Sequence, residues 1–132
     1  MELKLGNRFR EFINEIENFL RDRKNLMVYE DYIDENLNSA YRFFYSNPRD
    51  FLEFISIDLY LNQEKEVPLG KISTITSKNE VNNENLYPIY GEVLTEEFFV
   101  RGIEKTKISL ILNRKGYENI EDAIKYFEKN II

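Results

Sequence analysis

The sequence predicts an α+β domain with two N-terminal helices, a mainly antiparallel sheet of four strands and a C-terminal helix, the helices packed on one sheet face. Two observations predict this class. Apolar residues recur at helical spacing toward both ends of the chain, and they alternate with polar residues in the segments between. Because the chain has 132 residues and neither an internal repeat nor a linker, residues 1–132 are expected to form a single domain.

The first helix is predicted over residues 8–24. Asn7 stands where an N-cap is needed, and the basic residues at 21–24 complement the negative end of the helix dipole. Its apolar side chains fill an arc of roughly 120°. They are Phe9, Phe12, Ile13, Ile16, Phe19 and Leu20.

A second helix is predicted over residues 29–46. It ends at Asn47, because the residue before a proline avoids helical geometry and Pro48 follows. Tyr32 and Phe43 widen its apolar arc to roughly 180° or more. An arc this wide indicates either burial between two layers or a face left for a partner.

Four strands are predicted, over residues 53–62, 70–77, 87–94 and 106–113. In the first, Ile55, Ile57 and Leu59 alternate with polar residues, although Pro48 could also begin a helix there. The second strand is expected to pair with the first as a hairpin. Residues 95–100 are interpreted as strand rather than short helix, and the polar stretch 78–85 is predicted to be a loop.

The final helix is predicted to start at Asn119, which is placed to cap it, after a turn at 113–116. Its apolar residues share one narrow face. They are Ile120, Ala123, Ile124 and Phe127.

The residue types that are missing exclude several kinds of chemistry. The chain has no histidine and no cysteine, so Ser-His-Asp and Cys-His nucleophile systems, disulfides and iron–sulfur clusters are excluded. Only carboxylates remain as metal ligands, and these suit magnesium, calcium or manganese. The five glycines are too widely spaced for a phosphate-binding glycine loop. We therefore expect no cofactor, no metal site and no catalytic residue of these classes.

The balance of acidic and basic residues indicates which partners the chain is expected to bind. The chain has 24 acidic and 18 basic residues, a net charge of -6 and a pI of about 4.8. This balance argues against nucleic-acid binding and favours a partner with a basic surface. No apolar run suits a signal peptide or a membrane span, so a cytoplasmic location without membrane association is expected. Frequent Asn, Ile and Lys with two alanines are typical of an AT-rich bacterium or its phage.

Two groups of carboxylates are candidates for function. The first is Glu30, Asp31, Asp34 and Glu35. These acids either stabilise the positive end of the second helix or dock a basic partner. The second group is Asp58, Glu92, Glu96 and Glu97. These could serve a glycosidase or hold magnesium only if two of them converge, and Asp58 is expected to be solvated on the polar side of its strand.

Aromatic residues are concentrated between positions 41 and 54. They are Tyr41, Phe43, Phe44, Tyr45, Phe51 and Phe54. Core packing, an interface hot spot and an aromatic-lined ligand pocket are all consistent with this pattern. The candidate partner surface combines part of this segment with the charged positions around it. Its residues are Asp31, Glu35, Arg42, Tyr45 and Arg49.

Size, acidity and the missing catalytic residue types favour a non-enzymatic protein-binding domain, acting as an inhibitor, an immunity protein or antitoxin, or an adaptor. The alternative is a small-ligand binder or a carboxylate-dependent, magnesium-type enzyme with a pocket between sheet and helices. A structural subunit that self-associates is a third hypothesis.

Overall fold

The computed structural model describes residues 7–23, 25–33, 39–46, 55–61, 69–76 and 89–130. Its helices are α1 (Asn7–Arg23), α2 (Arg114–Glu118) and α3 (Ile120–Asn130). Its strands are β1 (Asn25–Ile33), β2 (Ser39–Ser46), β3 (Ile55–Leu61), β4 (Leu69–Thr76), β5 (Gly91–Val100) and β6 (Ile103–Leu112). Helices combined with an antiparallel sheet confirm the α+β class.

The sheet has six antiparallel strands in the order β1-β2-β3-β4-β6-β5. The first four form a meander in which each strand pairs with the next. The last two form a hairpin, and β6 is the member that pairs with β4. Among the described strands, β5 therefore lies at the edge of the sheet and β6 lies inside it.

The core lies between the helices and one face of the sheet. One row of apolar side chains runs straight across four strands in register, from Phe43 through Ile57 and Ile72 to Leu110, and all four are fully buried. The helices cover this row with apolar residues spaced to share one face. The most deeply buried of these are Ile16, Leu20, Ile124 and Phe127.

The second predicted helix, over residues 29–46, is wrong. This stretch contains β1 and β2, paired from Asn25 opposite Ser46 to Ile33 opposite Ser39. In β2 the side chains of Tyr41 and Phe43 are buried, whereas Arg42 between them faces the other side of the sheet and is partly exposed. Aromatic residues favour strands, and the pairing of β2 with β3 selects the two-residue period. The apolar arc of 180° was the sign that a helical period did not fit.

The four predicted strands are all present, but the sheet has six, since β1 and β2 replace the predicted helix. β3 and β4 pair as expected, and residues 95–100 do belong to a strand, β5. The predicted loop at 78–85 lies outside the described residues. The first helix is confirmed, with bounds Asn7–Arg23.

The predicted turn at 113–116 is the start of the short helix α2. Asn113 caps it, because its side-chain oxygen accepts a hydrogen bond from the Gly116 amide at 2.8 Å. The same residue donates from its side chain to the Ile89 carbonyl (3.1 Å) and from its backbone to the Tyr90 carbonyl (2.9 Å). One residue thus ties α2 to the segment that leads into β5.

Asn119 joins α2 to α3. Its side-chain amide donates to the Lys115 carbonyl at 2.9 Å, so the side chain ends α2. Its backbone carbonyl accepts from Ala123 at 3.0 Å and opens α3.

Within the described part of the chain, neither long helix is apolar enough over a sufficient length to cross a membrane.

Candidate functional site

A row of charged residues crosses the outer face of the sheet, which is the side opposite α1 and α3. Arg42, Asp58 and Lys71 stand side by side on β2, β3 and β4. Arg42 Nε donates to Asp58 Oδ1 at 2.5 Å, and Lys71 Nζ lies 3.9 Å from Asp58 Oδ2. In the β1–β2 register, Glu30 occupies the position next to Arg42. The signs of the charges therefore alternate across the three strands β2, β3 and β4.

Asp58 was expected to be solvated, and that prediction is wrong. Its side chain is only 3% exposed, against 33% for Arg42 and 29% for Lys71. A carboxylate is tolerated at such a depth when cations compensate it, and both neighbouring strands supply one. The residue is part of the outer face, but water barely reaches it.

A hollow lies next to this charged row, and we call it the outer-face cavity. The next register row consists of Phe44, Ser56, Ser73 and Ser109. The three serines are small and lie on adjacent strands, so the middle of this face is a depression. The Oγ atoms of Ser73 and Ser109 lie 3.0 Å apart.

The resulting cavity has a volume of about 290 Å³. The charged side chains that line it are Arg42, Asp58, Lys71 and Lys107. Ser56 and Ser73 supply hydroxyl groups, and Phe44 and Ile75 supply apolar walls.

A second candidate site is the β5–β6 hairpin. In this hairpin β5 pairs with β6 as far as Val100 opposite Ile103, whereas β4 pairs with β6 only as far as Thr76 opposite Thr106. The three residues at the end of each strand therefore extend beyond β4, by about 10 Å at the usual rise of a strand. Arg101 and Gly102 close the hairpin with φ angles of 51° and 81°, the left-handed geometry of a tight two-residue turn.

The projecting hairpin exposes large apolar side chains. Phe99 is 71% exposed and Ile103 is 58% exposed, beside the less exposed Leu94 and Val100. β5 also contains three glutamates and no basic residue. Glu92, Glu96 and Glu97 are all exposed. The edge strand of the described sheet is thus acidic along its length and apolar at its tip.

Two residues of the predicted partner surface, Arg42 and Tyr45, lie on opposite faces of the sheet. Arg42 is on the outer face, whereas Tyr45 is fully buried on the helix face and contributes nothing to an exposed surface. Asp31 pairs with Tyr41 in the β1–β2 register. Glu35 and Arg49 lie outside the described residues. Asp31 lies in β1 and Arg42 lies in β2, so these two residues are not on one helical stripe.

The candidate carboxylates are also spread out. Asp58 and Glu92 occupy the same register row, but β4 and β6 separate their strands, which places them about 14 Å apart. A glycosidase pair needs a separation of roughly 5–9.5 Å. Glu96 and Glu97 are adjacent in a strand and point to opposite faces. Among the described residues, no three acidic side chains come together as a metal site.

A smaller cavity, of about 170 Å³, lies between α1 and the start of α3. Its lining is acidic, with Glu15, Glu118, Glu121 and Asp122. This cavity lies between helices, whereas a ligand pocket is expected between the sheet and the helices. The larger outer-face cavity lies on the opposite side of the sheet.

Sequence reasoning missed Lys71, Lys107 and the apolar tip of the hairpin. The exposed Phe99 and Ile103 flank an Arg-Gly turn, a pattern that can be recognised as a tight hairpin. Lys71 and Lys107 carry no such signal, because only the strand register brings them to one cavity.

Comparison of the chain with protein-family models, curated proteins and solved structures finds no match.

Proposed function

We propose that this chain is a protein-binding domain that uses the edge strand β5 and the tip of the β5–β6 hairpin to bind an extended, basic segment of a partner protein. It would act as an inhibitor, an immunity protein or antitoxin, or an adaptor. The observation that carries the proposal is the exposure of Phe99 and Ile103 at the projecting tip.

The apolar tip supplies binding energy. Burying a phenylalanine or isoleucine side chain that was exposed is worth about 1.5–3 kcal/mol. In the register of the hairpin Phe99 stands opposite Glu104 and Ile103 stands opposite Val100, so the two side chains point to opposite faces of the tip, and a partner that encloses the tip can bury both. Aromatic anchors of this kind are frequent among the residues that dominate interface affinity.

The edge strand supplies direction and specificity. An edge strand has backbone donors and acceptors that an extended peptide can pair with, and side-chain pockets then discriminate between sequences. Glu92, Glu96 and Glu97 on β5 favour a segment rich in Lys or Arg. This choice of partner also agrees with the net charge of -6.

A photocrosslinking experiment tests the interface. A benzophenone amino acid replaces Phe99 in the full chain, and irradiation in lysate of the native host is followed by mass spectrometry. The matched control carries the same group at Ile89, an exposed apolar residue before the other end of β5. We expect one partner, linked through a Lys- or Arg-rich segment, from position 99 and not from position 89.

The identified partner then allows a quantitative test. Because both tip residues are exposed, Phe99→Ser with Ile103→Ser should change the free energy of unfolding by less than about 1 kcal/mol. Its affinity for the partner should fall more than about tenfold, whereas Ile89→Ser should retain affinity. A double variant that binds normally would contradict the proposal. So would a wild-type dimer that the double variant abolishes, because the tip would then bind a second copy.

A further inference from the structure

We propose that the outer-face cavity binds a small organic dianion, such as a sugar phosphate or a dicarboxylate. The cavity does not include the tip of the hairpin, so the proposal does not depend on the protein-binding function. It rests on the charge of the lining, on the positions of the cations and on the shape of the hollow.

The cavity has a charge opposite to that of the whole chain. Its lining contains three cations, Arg42, Lys71 and Lys107, and one carboxylate, Asp58. The lining therefore has a formal charge of +2 within a chain of net charge -6. A concave site with an excess of one charge attracts ligands of the opposite sign, and a dianion would neutralise this one.

The cations stand at two ends of the cavity. Arg42 and Lys71 flank the buried Asp58, which holds them at one end. Lys107 pairs in register with Ile75, four residues further along β4 than Lys71, or about 13 Å along the strand. Lys107 stands opposite Glu96 of β5 in the register of the hairpin, but it makes no ion pair with any described residue. This arrangement suits a ligand with two anionic groups, or one anionic group and a polar body.

The floor and walls suit the rest of such a molecule. Ser56 and Ser73 offer hydroxyl groups between the two cationic ends, and Phe44 and Ile75 offer apolar surface for carbon atoms. The volume of about 290 Å³ is close to the lower end of small-molecule sites, which begin at roughly 300 Å³. A ligand the size of a pentose phosphate or a short dicarboxylate fits this range.

Binding is tested with the full chain and three probes: ribose 5-phosphate, succinate and inorganic phosphate. Free ribose and sodium chloride at equal ionic strength are the controls. Titration calorimetry gives the affinity, and thermal unfolding gives an independent measure. At about 100 times its Kd, a bound probe should raise the folding equilibrium constant about 100-fold. We expect at least one dianion to bind at millimolar or lower concentration, and ribose and chloride to have no effect.

A matched pair of variants locates the site. Lys105 lies two residues before Lys107 on the same face of β6 and does not line the cavity. Lys107→Met should weaken binding of the dianion roughly tenfold or more, because it removes a charge-assisted contact. Lys105→Met should change the affinity less than about twofold, since Lys105 does not line the cavity and makes no contact with a ligand there.

Two results would overturn the proposal. One is the absence of binding by all three probes at millimolar concentration. The other is an equal loss of affinity in the Lys105 and Lys107 variants, which would show non-specific attraction to the face. Preference for ribose 5-phosphate over succinate, or the reverse, would identify the anionic group that the site recognises and would support it.

Discussion

Asp58 is the residue on which the outer face depends. Its carboxylate lies in β3 between two apolar residues that point into the core, Ile57 and Leu59. Taking a charge this far out of water is costly, and the cost is compensated by Arg42 at 2.5 Å and Lys71 at 3.9 Å. Because the three residues share one register row, any change to one partner leaves the others imperfectly compensated.

We expect Arg42→Met to lower the free energy of unfolding by about 2–4 kcal/mol. The guanidinium is one-third exposed, so the loss should be smaller than for a fully buried pair. Adding Asp58→Leu to that variant should restore much of the stability, because the buried carboxylate is then gone. Urea denaturation of the two single variants and the double variant gives the coupling energy. If the two losses are simply additive, the ion pair is not the cause.

The burial of Asp58 could not be predicted from the sequence. Alternation in β3 placed Asp58 correctly on the polar side of the strand, but the same pattern fits a solvated residue. Burial depends on the strands that stand beside it, and the pairings with Arg42 and Lys71 join positions far apart in the chain. The burial of Tyr45 could not be predicted either, because Tyr45 faces the core only when residues 39–46 form a strand.

At the scale of elements, one residue, Asn113, fixes the start of α2. Asn113 donates to the carbonyls of Ile89 and Tyr90, and its side-chain oxygen accepts from the Gly116 amide of α2. Gly116 permits this close approach, because a Cβ there would overlap the Tyr90 carbonyl oxygen. The short helix is therefore positioned by the segment before β5 rather than by its own length.

We expect Asn113→Ala to lower the free energy of unfolding by about 1–2 kcal/mol, since it removes the cap and the bond to Ile89. Asn113→Asp is the informative comparison: it keeps an acceptor for the Gly116 amide and loses only the donor to Ile89. Its loss should be smaller than that of the alanine variant, as measured by chemical denaturation. Equal losses in both variants would mean that the cap contributes nothing.

The elements differ in how well the sequence predicted them. α1, β6 and α3 each have one clear period, and each also packs that face against the core, so local and tertiary preferences agree. The segment containing β1 and β2 is rich in aromatic residues on both sides, which satisfies a helical and a strand period about equally. Only the availability of β3 as a pairing partner decides between them.

At the scale of the whole molecule, Tyr117 links stability to pH. It lies in α2, is 7% exposed, and stacks on Phe12 of α1 with ring centres 4.7 Å apart. Burial raises the pKa of the Tyr117 phenol above its usual value. In the unfolded chain the phenol ionises near pH 10, whereas in the folded chain it keeps its proton to higher pH. The unfolded state thus binds fewer protons above that pH, and stability falls.

The expected result is a free energy of unfolding that declines above about pH 10, by up to about 1.4 kcal/mol per pH unit from this residue. Tyr117→Phe should lose that part of the slope and differ little from the wild type near neutral pH. Urea denaturation of both proteins at a series of alkaline pH values provides the measurement. Identical slopes would show that ionisation of Tyr117 is not coupled to folding.

The position of β6 between β4 and β5 has a consequence for synthesis on the ribosome. The order of the strands along the chain differs here from their order in the sheet, because β6, the last of the described strands to be made, lies inside the sheet. Until residues 103–112 have left the exit tunnel, the nascent meander ends on an unpaired β4, and β5 has no described strand to join. Phe127 of α3, which helps to close the core, emerges later still. Part of the core of the N-terminal strands therefore stays uncovered until β6 and α3 have emerged.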